Sequence, residues 1–207
     1  MGWKLHAPLI KVVFTSSLAY TTALAVHLRS GEIEPFLSWS ALGWFAAGAA
    51  YTHLFEYFYH LQMMHRVLRI GTRRFYDTRH LAHHRLFAGN NFQTRQPAQL
   101  TEVATQWYTF PVLFLLHYAV FREVFPSASA PAFFLGVSVQ FLVYEVSHWL
   151  THLKDNNIDR WLRRVPVLNE VRRRQIEHHR MHHSRPDVNF NFTPPYAGDY
   201  LGRTRGR

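Results

Sequence analysis

Ten of the fifteen histidines in this 207-residue chain fall into four clusters with metal-ligand spacing, so any fold it adopts must bring four separate segments together. The clusters are HxxxxH at His60 and His65, HxxHH at His80, His83 and His84, HxxxH at His148 and His152, and HxxHH at His179, His182 and His183. Residues three and four apart share a face of an α-helix, while adjacent ones diverge by roughly 100°. Each HxxHH can therefore serve two ions: His80 with His84, or His179 with His183, converges on one, and the intervening His83 or His182 leans toward a second. Neutral imidazole suits iron, zinc, copper or nickel, and ten such ligands exceed the four to six that one ion takes. With histidine at 15 of 207 residues, an HxxHH arises by accident roughly 0.08 times per chain. Two copies plus two spaced pairs therefore predict a dinuclear site.

Four stretches are long and poor in charge: residues 12–28, 36–59, 103–121 and 130–150. They read as membrane-spanning helices, because a bilayer core of roughly 30 Å needs about 20 apolar residues. The third is interrupted by Pro111 and His117. The first ends at His27, Leu28 and Arg29 without a small-residue cleavage pattern, so it is expected to be retained rather than removed as a signal peptide. With a cytosolic amino terminus, the outer loops are residues 29–35 and 122–129. These hold only Arg29 and Arg122, which leaves 21 of the 23 Lys and Arg inside, a strong positive-inside bias. The expected fold is all-α and integral to the membrane. Residues 1–207 are expected to form a single domain of four transmembrane helices with a cytosolic helical cap, residues 60–102 and 151–207, that holds the dinuclear histidine site.

The same topology accounts for the net charge of +10. Arg163, Arg164, Arg172, Arg173 and Arg174 flank membrane segments, where they meet anionic headgroups, and no nucleic-acid partner is expected. The chain has no cysteine, whereas a structural zinc site is usually closed by four ligands and often rich in cysteine. Residues 154–177, polar and basic with Pro166 inside, read as short interfacial helices.

A helix from residue 36 to His65 would overshoot the bilayer and leave His60 and His65 at the cytosolic boundary, roughly 7 Å apart along the axis. His148 and His152 share a face near the cytosolic end of the fourth span. Glu56 lies four residues before His60 and Glu145 three before His148. Metal-bound histidines usually donate their second ring N–H to a carboxylate or carbonyl, so Glu56 and Glu145 are candidate acceptors, with Glu177 and Asp187 weaker ones. No catalytic side chain beyond the ligands is expected. Of the remaining histidines, His178 is expected to face outward, His117 to need a partner inside its apolar span, and His6, His27 and His53 to be interfacial.

With these residues in view, the chain resembles the fatty acid hydroxylase superfamily of membrane-bound diiron oxygenases, from about Glu56 to Thr204. Stretches similar to the fatty acid 2-hydroxylase branch are Glu56-Tyr57 before the first box, the HxxHH of His80, and Tyr144-Glu145 before His148-Trp149-Leu150-Thr151-His152. The run from Asn189 through Phe190, Asn191 and Phe192 to Asp199, Gly202 and Thr204 is similar to the stretch after the family's last box. His179-Arg180-Met181-His182-His183 also looks like the last box of carotenoid hydroxylases. The connection from His152 to His179 is longer than in the 2-hydroxylase branch, and no stretch resembles the cytochrome b5 domain fused to many of its members. The resemblance implies that the ten box histidines bind two iron ions, with O2 as co-substrate and a membrane lipid as substrate; zinc, which stands above iron(II) in affinity for such nitrogen sites, is expected to substitute in purified protein. A fatty acyl chain is the expected target. Carotenoid or sterol hydroxylation or desaturation is the alternative within the superfamily, and a histidine-rich metal transporter or a zinc-stabilised interaction protein the alternative outside it.

Each turnover of such an oxygenase consumes two electrons, yet the chain contains no Gly-rich dinucleotide motif and no CxxCH haem box. An external donor is expected, a ferredoxin or cytochrome b5 with its reductase, docking on the basic cytosolic face that includes Arg172, Arg173 and Arg174. The expected location is a bacterial inner membrane, or the endoplasmic reticulum of a eukaryote.

Overall fold

A computed structural model describes residues 2–29, 35, 38–70, 72–75, 77–124 and 127–206. Apart from a hairpin of two three-residue strands, β1 (Leu68–Ile70) and β2 (Arg73–Phe75), the regular elements among the described residues are helical. The helices are α1 (Gly2–Leu28), α2 (Trp39–Tyr59), α3 (Thr78–Leu86), α4 (Pro97–Leu100), α5 (Thr109–Val124), α6 (Ala130–His152), α7 (Asn157–Leu162), α8 (Pro166–Ser184) and α9 (Ala197–Leu201). The described chain divides into two compact units: residues 6–52 with 104–145, and residues 1–5 with 53–103 and 146–207.

The first of these units is built from α1, α5 and the amino-terminal parts of α2 and α6. Its core is small residues and aromatics, with Ala19, Ala23, Phe110, Phe114, Ala130, Phe133, Phe134 and Val137 buried together. The Phe110 and Phe141 rings stack with centroids 4.1 Å apart, and Phe114 meets Phe134 edge-on at 5.1 Å. Gly48 on α2 and Gly136 on α6 lie against each other's helices: a Cβ on Gly48 would collide with the Phe133 carbonyl, and one on Gly136 with that of Phe45. Small residues let helix backbones approach closely in apolar surroundings, where the contact itself supplies the attraction. Outside this core the helices are apolar as well. Phe14 and Leu18 on α1, and Val112, Leu115, Leu116 and Val120 on α5, are all at least half exposed, and those on α5 form one stripe at helical spacing.

Among the described residues, two helices are long and apolar enough to cross a membrane, His6–Leu28 and Ala130–His152. The other two expected spans differ. α5 starts at Thr109 because residues 103–108 form turns rather than helix, and its 16 residues measure about 24 Å. α2 has the length, but it carries His53, Glu56 and several tyrosines along its 21 residues. Residues 36 and 37, at the expected start of the second span, and parts of both expected outer loops, 30–34 and 125–126, lie outside the described residues. The expected partner of His117 is backbone: its Nδ1 donates to the Leu113 carbonyl at 2.6 Å.

The second unit holds every box histidine. α3 is started by Asp77, whose carboxylate accepts from the backbone N–H groups of Arg79 and His80, both at 3.0 Å. α7 is started in the same way by Asn156, which accepts from Asp159 N at 2.7 Å. Beyond α8 the chain from Val188 to Thr193 is irregular yet wholly buried. Buried backbone must find hydrogen-bond partners. Here Asp199, 0% exposed, accepts from Phe190 N (2.7 Å), Asn191 N (2.9 Å) and Thr204 Oγ1 (2.8 Å).

Candidate metal centre

The helical run of α2 does not end at Tyr59 but widens into a π-turn, His60–Met64, closed by a bond from His65 N to the His60 carbonyl five residues back (3.2 Å). In a regular α-helix five residues would leave His60 and His65 about 140° apart around the axis. The wider turn brings them to one side, with ring centroids 4.9 Å apart and Nε2 atoms at 3.2 Å.

α3 and α8 then distribute their histidines as the HxxHH spacing predicts. His80 and His84 of α3 and His182 of α8 join His60 and His65, and the ligand atoms of these five lie within 4.8 Å of one another. The complementary set, His83 of α3 and His179 and His183 of α8, gathers with His152 of α6 within the same limit. His148 borders this second group, its Nε2 3.1 Å from that of His179. The two groups are neighbours, since the His84 and His183 rings stack with centroids 4.4 Å apart. All ten predicted ligands are thus brought together, five and five.

The donor set fits cations. His60 Nδ1 donates to the Phe190 carbonyl (2.6 Å), His182 Nδ1 to that of Val188 (2.6 Å) and His152 Nδ1 to that of Phe92 (2.8 Å). A carbonyl only accepts, so these three nitrogens carry the protons and each Nε2 turns a lone pair inward. His60 and His182 both aim that lone pair at His65 Nε2, at 3.2 and 3.1 Å, where a neutral imidazole has at most one N–H to offer. The cluster is oversupplied with acceptors, a state that a bound cation relieves. Charge on the rings is disfavoured too. Burial lowers His65 to about 4 and, with neighbouring imidazoles adding to it, His84 to about 3. Burial followed by imidazole–imidazole repulsion holds His60, His80, His83, His179 and His182 well below the ordinary histidine range. The rings are therefore neutral at pH 7, the form that binds metal.

The acceptors of the ligand N–H groups are a correction to the sequence reading. Neither carboxylate expected in that role reaches a box histidine. Glu56 accepts from Phe192 N, Thr193 N and Thr193 Oγ1, and Glu145 accepts from Thr105 N and Oγ1, both at 2.8 Å. Glu56 acts one step away, fixing the buried segment whose Phe190 carbonyl orients His60. Glu177 and Asp187 make no such contact either, and Asp187 is exposed. His178 faces inward, only 8% exposed, with its Nε2 2.9 Å from the Asn191 carbonyl and 3.3 Å from Asp199. Its 100° offset from the ligand face of α8 points it at the carboxy-terminal segment rather than at solvent. His53 and His27 are buried as well, His53 contacting Thr193 Oγ1 at 3.1 Å and accepting from Ala197 N at 3.2 Å. Arg172, expected on an exposed docking face, is buried against Asp159 at 2.8 Å.

Sequence reasoning gave no individual roles to Phe92, Val188, Phe190 and Asp199. The three carbonyls have no side-chain signature, so only the unusual run from Asn189 to Asp199 pointed to that region. A cavity of about 670 Å³ opens onto both histidine groups, with His65, His84 and His183 in its wall, Leu61, Leu81 and Phe190 as apolar lining, and Arg66, Arg85 and Asp187 among its polar residues.

Residues 45–204 match the family model described as Fatty acid hydroxylase. No curated protein and no solved structure matches the chain significantly.

Proposed function

The chain belongs to the fatty acid hydroxylase family, and from that premise we propose that it is an O2-dependent diiron hydroxylase acting on a C–H bond of a membrane lipid, with a fatty acyl chain as substrate. The observation that carries this reading is the pair of adjoining five-imidazole groups, one of which turns His65 and His84, and the other His183, into a single cavity. Two irons held there would supply the redox chemistry: C–H, O2, two electrons and two protons give C–OH and water. His60, His65, His80, His84 and His182 would hold one ion, and His83, His148, His152, His179 and His183 the other.

The chain's own contribution is geometry and exclusion of water. The Phe190, Val188 and Phe92 carbonyls lock three ligands in one tautomer, and burial keeps the rings uncharged and ready to coordinate. Leu61, Leu81 and Phe190 give the cavity apolar walls against which a lipid chain can be aligned beside both groups. Electrons come from outside, from a ferredoxin or cytochrome b5 served by its reductase. We assign α1, α2, α5 and α6 to four membrane crossings, supported by the outward aliphatic stripe of α5 and by the positive-inside count. All four boxes then face the cytosol.

Anaerobic loading of the purified chain with iron(II), then addition of reductant, O2 and lipid, should consume O2 and yield a product about 16 mass units heavier. Zinc binds such nitrogen sites more tightly than iron(II), so protein purified from overexpression must first be stripped. An iron-loaded chain that consumes no O2 with any lipid class would remove the oxygenase reading and leave a metal transporter or a zinc-stabilised interaction protein.

A further inference from the structure

A second cavity, of about 290 Å³, lies away from the histidines where α7 and α8 come together. Its lining includes Leu153, Asp155 and Asn156, just beyond the candidate span Ala130–His152. With α6 assigned to a membrane crossing, as proposed above, this is where a lipid headgroup region begins. Four arginines line it, Arg163, Arg172, Arg173 and Arg180, against two acids. Arg172 is spent on Asp159 (2.8 Å) and Arg173 on Glu170 (2.9 Å), while Asp155 pairs with Arg95 (3.3 Å). Arg163 and Arg180 have no acidic partner among the described residues, and the half-buried Asn169 adds a side-chain amide with no hydrogen bond there. Arg180 lies over the Phe92 ring, 5.0 Å from its centroid, so the cavity holds positive charge to which no acid is paired, with a neutral donor beside it. Its volume, equal to about ten waters at ~30 Å³ each, has room for a phosphate and part of a glycerol.

The surroundings say which phosphate. The α7–α8 segment exposes Ile158 (48%), Trp161 (56%), Val167 (72%) and Val171 (47%) among its arginines. Apolar side chains and tryptophan interleaved with arginine, here on the 6-residue α7 and the first turns of the 19-residue α8, mark a segment lying in the membrane interface, whereas a soluble anion or an acidic protein calls for no such apolar set. We propose that the cavity binds the phosphate of an anionic phospholipid through Arg163, Arg180 and Asn169, with Trp161 and Val167 seated among neighbouring lipids. The site concerns a resident lipid and is independent of what is oxidised at the histidines.

The test uses the full chain in neutral detergent, offered equal amounts of phosphatidylglycerol and phosphatidylcholine and examined by native mass spectrometry. Retention of phosphatidylglycerol by about fivefold or more over phosphatidylcholine is expected. R163Q combined with N169A should bring the ratio close to one, and R163K alone should preserve most of it. Equal retention of both lipids by the wild type, or an undiminished ratio in the double variant, overturns the proposal. Thermal unfolding of the wild type needs no variant: phosphatidylglycerol should raise the midpoint and millimolar inorganic phosphate should not. Equal protection by inorganic phosphate would make this a soluble-anion site and end the lipid assignment. So would a double variant that keeps its lipid ratio yet accepts electrons more slowly from an acidic carrier, because the face would then serve protein docking.

Discussion

His83 lies between His80 and His84 in sequence but belongs to the other group of rings, touching His183 Nε2 at 3.1 Å. Replacing it with alanine should remove at least one metal equivalent per chain and abolish hydroxylation. Elemental analysis showing a full complement would remove it from the ligand set. Protonation belongs to the same scale. The lowered values of His65 (about 4) and His84 (about 3) mean that protons compete with metal only near those values, well below the ordinary 6.5. Metal content should therefore hold from pH 7 to about 5.5 and drop as pH approaches 4, measured by dialysis and elemental analysis. The metal-free chain should behave oppositely. Its unfolded state takes up protons from 6.5 downward while its folded state does not, so its stability begins to fall as soon as pH drops below 6.5. At this scale the ligands were legible, because imidazole chemistry and spacing are written in side chains. Their orienting partners were not, because Phe190, Val188 and Phe92 act through backbone carbonyls that any residue could supply. The same limit misplaced Glu56 and Glu145, whose helical proximity to His60 and His148 gave way to the N–H and O–H groups of Thr193, Phe192 and Thr105.

Among the elements, the π-turn after α2 was the least visible from sequence. The five-residue spacing fixed how far apart His60 and His65 sit along the axis, yet the angle between them depends on a bonding pattern that no residue type dictates. Such a turn absorbs one extra residue without rotating the chain beyond it. Deleting Met63 should convert it to a regular turn in which the pair, now four apart, still shares a face. Metal content should then stay within about twofold of the parent. Deleting Ala50, inside regular α2, rotates everything beyond it by about 100° and should abolish metal binding. Equal loss in both variants would show that the widened turn is not what aligns the pair. α3 and α8 were the most legible elements, since HxxHH on a helix admits one partition of its rings. Their termini were less so: Asp77 caps α3, and the long irregular run after α8 is held by two buried carboxylates, Asp199 accepting from Phe190 N and Asn191 N and Glu56 from Phe192 N and Thr193 N.

For the whole molecule, helical class and the convergence of four boxes were readable in the sequence, whereas the number of crossings depends on α2 and α5, whose polar content and 16-residue length blur the hydrophobic signal. The absence of cysteine makes the four-crossing arrangement directly testable. A lone cysteine replacing Glu123 should react with a membrane-impermeant thiol reagent in intact cells. One replacing Arg203 should react only after permeabilisation, and the reverse pattern would invert the arrangement. A final consequence comes from the partition of α3 and α8, each of which donates rings to both groups. Neither position can be furnished by its own private scaffold, so vacating one disturbs the helices that shape the other. Filling is then an all-or-none affair: a titration should pass from empty to doubly occupied chains with scarcely any singly occupied species between them.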